Sequence, residues 1–155
     1  MQKGFTLIEI LVVLVLMALV VGITVPNINT YNNTETLQSA ELGVVSSLQQ
    51  AKSQAESQVK PTSCLASQSL DGYRVDFTSS TQYQLEDMCS GSPAVVSSAT
   101  LPTNILFTFS SYPQTFFFRT LQGGVTYTTN TIRVKDQVTD AQQIITVDQL
   151  GNITY

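Results

Sequence analysis

The sequence predicts an α+β protein, one long amino-terminal helix followed by an antiparallel β-sheet domain. Three observations carry this. An apolar run near the amino terminus is followed by a stripe of apolar residues at helical spacing that reaches residue 59. From Tyr73 onward the apolar residues alternate in short runs. Turn residues divide those runs, and one block of helix before one block of strands is the α+β order.

The first element spans the apolar run. Every residue from Ile10 to Ile23 is apolar or Gly, and Phe5, Leu7, Ile8 and Val25 extend the run. About 20 such residues are enough for a helix to cross a bilayer. A secretory signal peptide is the alternative, but no A-x-A cleavage site follows and a carboxylate, Glu9, sits inside the run. Such an acid costs about 2.5–3.5 kcal/mol at the middle of a spanning helix, so it needs a partner or a purpose. Lys3, the charge ahead of the run, orients the amino terminus toward the cytoplasm.

Pro26 follows, and its missing N–H predicts a kink. "NINTYNNT", rich in Asn, predicts a loosened patch. Helical periodicity then returns, with Leu37, Ala40, Val44, Leu48, Ala51, Ala55 and Val59 on one stripe. Gln38, Glu41, Gln49, Lys52 and Glu56 take the other face, and Pro61 ends the helix. At 1.5 Å per residue, residues 5–59 would extend about 80 Å.

The remainder is β. "YRVDF" and "QYQLE" around "TSST" predict a hairpin, and "CSGSPAVVSSATLPTN" predicts a loop. "ILFTF" and "TFFFRT" are strands, the second buried on both faces by Phe116, Phe117 and Phe118. "TIRVK" and "QIITVDQ" form a second hairpin about Asp136–Asp140, and "GNITY" is the last strand. Six or seven strands result, with the helical stripe packed on them.

Composition excludes several functions. Lys and Arg number seven against eleven Asp and Glu, a net charge of −4, and the basic residues are scattered; neither suits a protein that tracks nucleic-acid phosphates. The chain has no His, which removes Ser-His and Cys-His catalysis and most zinc sites. No nucleophile–base set is visible, so the chain reads as a non-enzyme without a cofactor. Asp136, Asp140 and Asp148 fit a solvated acidic turn better than a calcium site, since their spacing matches no EF-hand loop. Glu86-Asp87 reads as a strand end. Charged residues are only 12% of the chain, and the hydroxyl- and amide-rich remainder suits an extracytoplasmic domain. In such a compartment Cys64 and Cys89 either pair, closing the first hairpin onto the exit of the helix, or remain two buried thiols.

"KGFTLIEILVVLVLMALVVGITVPN" resembles the amino terminus of type IV prepilins and type II secretion pseudopilins. The resemblance rests on Lys3, Gly4, Phe5, Thr6, Glu9, the apolar run and Pro26. It implies a leader at residues 1–4, cleavage by prepilin peptidase between Gly4 and Phe5, and methylation of the Phe5 amine. It further implies a transmembrane or filament-core segment at residues 5–26, an amphipathic half at 27–61 and a β-rich domain at 62–155, the pilin fold. Glu9 then pairs with the Phe5 amine of a neighbouring subunit. The implied partners are other pilin or pseudopilin subunits, the peptidase, the inner-membrane assembly platform and the membrane itself, with the domain on the extracytoplasmic side. The order of elements and "SLQQAKSQAESQ" resemble the GspH/FimT-like minor pilins and pseudopilins. Some of these take up DNA through basic residues close to the terminal glycine, but Gly151–Tyr155 carries no Lys or Arg, so DNA is an unlikely partner. The alternative to a filament subunit is a lone anchored binding domain.

Overall fold

The computed structural model describes residues 6–121 and 123–155, without the side chains of residues 21–30. Helix α1 (Leu7–Ser57) is followed by nine strands among the described residues. They are β1 (Leu70–Phe77), β2 (Gln82–Cys89), β3 (Ser92–Thr100), β4 (Ile105–Phe107), β5 (Gln114–Arg119), β6 (Val125–Tyr127), β7 (Thr131–Asp136), β8 (Gln142–Val147) and β9 (Ile153–Thr154). The α+β order stands. The strands form two antiparallel sheets, ordered β3-β2-β1-β5-β6 and β4-β7-β8-β9.

Helix α1 runs without a break through Pro26 and the Asn-rich stretch, so the expected loosening is absent from the backbone. A proline removes one rung of the hydrogen-bond ladder, while the residues on either side keep theirs. The helix ends at Gln58, which turns left-handed (φ 51°) and donates its N–H to the Ala55 carbonyl at 3.3 Å. Val59 therefore leaves the stripe. Its side chain is exposed and its carbonyl accepts the Tyr73 hydroxyl at 2.9 Å.

The remaining stripe residues, Leu37 to Ala55, are all buried, and the helix packs on β1 and β5 of one sheet and on β7, β8 and β9 of the other. Glu41 departs from its expected polar face. It is buried beside the stripe, and that burial pushes its carboxyl pKa up. A helix seated over two sheets buries a wider arc than the apolar stripe alone covers.

The first hairpin forms as expected, and its register sets Phe77 opposite Tyr83 and Val75 opposite Leu85. The stretch expected as a loop instead contains β3, paired along the whole of β2. Ser90 and Gly91 both take positive φ (49° and 79°), the condition for a two-residue hairpin turn. Strand β3 is an edge strand whose small side chains are mostly exposed, so it lacks the alternation that marks a half-buried strand. Glu86 and Asp87 are also not a strand end. Both are buried inside β2, Glu86 paired with Arg74 and Asp87 with the Ser63 hydroxyl.

Strand β5 lies between β1 and β6, with Phe116 and Phe118 buried and Phe117 half-exposed. Close approach of β1 to β5 explains Gly72, where a Cβ would come within 2.1 Å of the Phe118 carbonyl oxygen. The core is a cluster of aromatic rings centred on Phe77, with the aliphatic residues of β7 and β8 beneath the helix.

Cys64 and Cys89 are joined, with Cα atoms 5.6 Å apart. The bond ties the segment leaving the helix to the end of β2. Their separation of 25 residues closes a loop worth about 3 kcal/mol in the chain-entropy description. The double substitution Cys64→Ser, Cys89→Ser is expected to lower unfolding stability by that amount at unchanged fold. Denaturant titration of oxidised wild type beside the variant checks it, and equal midpoints would show that the loop is held by its other contacts.

Candidate functional site

The chain's most unusual surface is the first part of α1. Thr6 is extended at the N-cap position, and the N–H groups of Glu9 and Ile10 both donate to its carbonyl. From Leu7 to Val20 every described side chain is exposed, on all sides of the helix. Leu7 is 85% exposed and Val13, the least exposed of the large residues here, still 45%. Surfaces of this size and polarity mark protein–protein or membrane contact. Its composition explains why it is helical yet uncovered. From Ile10 to Val20, Leu, Ile, Val, Met and Ala follow one another without polar residues, so this part of the helix has no face that prefers water and none that the β-domain selects.

Glu9 is exposed in the first turn, where a carboxylate meets the positive end of the helix dipole. Among the described residues no Lys or Arg lies within salt-bridge distance of it. Gly4 and Phe5, the expected cleavage junction and the expected source of an amine for Glu9, lie outside the described residues, as does the Pro26 side chain. Among the described residues no helix is long and apolar enough to cross a membrane. The apolar run completes its length in the sequence only over residues whose side chains are not described.

The acidic residues of the β-domain separate into individual structural roles. Asp136 is buried and accepts from the Val138 N–H at 2.8 Å and the Thr139 hydroxyl at 2.7 Å, contacts that hold its carboxyl below its ordinary pKa. Only its neighbours are solvated as expected. Asp140 is exposed and pairs with Lys135 at 2.5 Å. Asp148 lies just beyond β8 rather than within it, where it accepts from the backbone N–H and side-chain amide of Asn152 at 2.8 and 2.7 Å. Those two bonds likewise lower its pKa. Among the described residues no three acids or cysteines are grouped to hold a metal ion.

The carboxy-terminal stretch docks beside the helix. Gly151 is buried against Val125 and Phe118, and the aliphatic stem of Lys52 reaches it from α1. Sequence order did not reveal this approach of a cation to the terminal glycine. The Lys52 ammonium is 3.9 Å from Glu56, one turn along the helix.

Residues 1–25 match the family described as the prokaryotic N-terminal methylation motif. No curated protein and no solved structure matches the chain. The motif covers Gly4, Phe5, Glu9 and the uncovered apolar helix from Leu7 to Val20 together, and it supports a type IV prepilin-like amino terminus for this chain.

Proposed function

We propose that this chain is a structural subunit, of the minor kind, of a type IV pilus or a type II secretion pseudopilus. Prepilin peptidase removes residues 1–4 and methylates Phe5. The α1 segment then rests in the cytoplasmic membrane with the β-domain outside, and the assembly platform moves it into the filament core beside other subunits. The observation that carries this reading is the uncovered apolar helix from Leu7 to Val20 within a matched methylation motif. A soluble domain has no use for it, whereas both a bilayer and a bundle of like helices cover it on every side. Glu9 favours the bundle, because beyond its interaction with the helix dipole an acid among apolar residues costs a plain anchor, whereas a bundle of like helices offers it a neighbouring amine. Pro26 fits the same reading as a bend between filament core and domain.

The mature chain is expected to begin at Phe5 and to carry one added methyl group. Intact-mass analysis of protein extracted from membranes checks this. A chain that still begins at Met1, or one cut beyond Thr24, would remove the basis of the filament reading.

A further inference from the structure

We propose that the cleft where the two sheets meet binds an acidic saccharide through Arg133. The cleft has a volume of about 600 Å³ and is formed by the segment after β4, the start of β5, the segment after β6 and the first half of β7. No lining residue comes from α1.

Arg133 is the starting point. The other described cations are engaged. Lys52 faces Glu56, Arg74 pairs with Glu86, and Lys135 pairs with Asp140. Lys60 donates to the carbonyls of Ala66 and Gln68, and Arg119 lies 5.9 Å over the Phe117 ring. Among the described residues Arg133 alone has no carboxylate, carbonyl or ring partner. Its side chain is exposed on β7, so the guanidinium is open to a ligand from solvent. The cleft it opens onto contains no Asp or Glu, so its charge is uncompensated there.

The rest of the lining sets the ligand class. Thr and Ser contribute six hydroxyl side chains, and Gln114 contributes an amide. Several are already fixed. The Gln114 amide donates to the Ser111 carbonyl at 2.7 Å, and the Thr128 hydroxyl donates to the Gln114 carbonyl oxygen at 2.5 Å. The Thr129 hydroxyl accepts the Thr131 N–H. Such walls offer their remaining lone pairs and protons at set positions, which lowers the ordering cost of binding. Phe109 is held by Phe77, Phe107 and Tyr112 and, with Pro113, gives the cleft an apolar surface.

A ligand complementary to this lining carries one carboxylate for the guanidinium fork, many hydroxyls, and a C–H face for Phe109. A uronic or sialic acid residue within a short saccharide has all three, and the volume lies in the range of small-ligand sites. Nucleic acid fits poorly, because one arginine cannot follow a run of phosphates. A peptide finds no deep apolar pocket for an anchor side chain.

The test uses the full chain in detergent micelles and calorimetric titration. The probes are digalacturonate beside its methyl ester and sialyllactose beside lactose, with inorganic sulfate as a bare anion. At least one acidic saccharide is expected to bind roughly tenfold or more tightly than its neutral counterpart, the difference a charged hydrogen-bonded pair makes. Arg133→Ala should abolish that preference and Arg133→Lys should keep part of it. Lys135→Ala, on the same strand but outside the cleft lining, should bind as wild type does. Four results would overturn the proposal: no saccharide binds, charged and neutral forms bind alike, Arg133→Ala binds like wild type, or sulfate competes as well as the best saccharide.

Discussion

Glu9→Leu is expected to be cleaved and methylated normally, to stay in the membrane, and to be missing from sheared filaments. The proposed cleavage junction is Gly4-Phe5, and the substitution leaves it intact. Removing a carboxylate makes the run from Leu7 to Val20 more apolar, so residence in the bilayer is not weakened, although the gain is smaller than for a charge at the middle of a spanning helix because Glu9 lies in the first turn. The loss appears at assembly. In the proposed processing, cleavage leaves an ammonium on Phe5, four residues before Glu9 in the sequence. Once helices pack around that ammonium without its acid, a charge is buried unpaired, at a cost of about 3–5 kcal/mol. That penalty exceeds a factor of one hundred in incorporation.

Glu9→Gln should fail less severely, because the amide oxygen still accepts a hydrogen bond from the amine. Fractionation between membrane and filament, with the mass of each pool, separates a processing defect from a docking defect. Filaments containing wild-type amounts of the Glu9→Leu protein would show that the acid is not the docking partner. A membrane pool that retains the leader would place the defect at the peptidase instead.

The parts of this molecule differ in how far sequence predicts them, for physical reasons. The stripe from Leu37 to Ala55 is legible because a helix on a sheet buries every third or fourth residue, and Tyr73, Val75 and Phe77 are legible because a strand buries every second. Strand β3 is not legible, because an edge strand with both faces exposed has no burial pattern to leave. Glu41, Glu86 and Asp87 are misplaced by any rule that sends charge to the surface. Glu86 and Asp87 are tolerated inside because Arg74 and Ser63 meet them, and those contacts depend on strand register and on the loop after the helix. The amino-terminal segment is readable as a motif of residue types, since Glu9 stands out among apolar residues. The cleft at Arg133 was not, because residues 108–114 and 128–133 come together only when two separate sheets meet.

That meeting of sheets is held by one ring more than by any other, and Phe77→Ala is expected to cost about 3–5 kcal/mol of folding stability. Phe77 has no exposed surface. It contacts Phe107 edge-on at 4.8 Å, Phe109 at 5.3 Å, and Phe116 and Tyr83 at 5.8 Å. Phe107 belongs to β4 of the second sheet, whereas Phe116 and Tyr83 belong to strands that flank β1 in the first. Alanine therefore leaves a cavity lined from both sheets, which can close only if one sheet shifts on the other. Domains of this size hold about 5–15 kcal/mol in total, so a large share of the margin is removed. Phe117→Ala provides the contrast. It removes a ring of equal size from the neighbouring strand, but one that is half-exposed and turned away from the core, and about 1 kcal/mol is expected. Denaturant titration of the full chain in micelles, with the disulfide intact, compares the two. A Phe77→Ala midpoint equal to that of Phe117→Ala would show that the sheets are held by the helix rather than by the ring cluster. Processing reads differently from either. The proposed cleavage junction and Glu9 precede Pro26 in the sequence and contribute nothing to this core, so Phe77→Ala chains that reach the membrane should still begin at Phe5, while the folded fraction available to a filament falls.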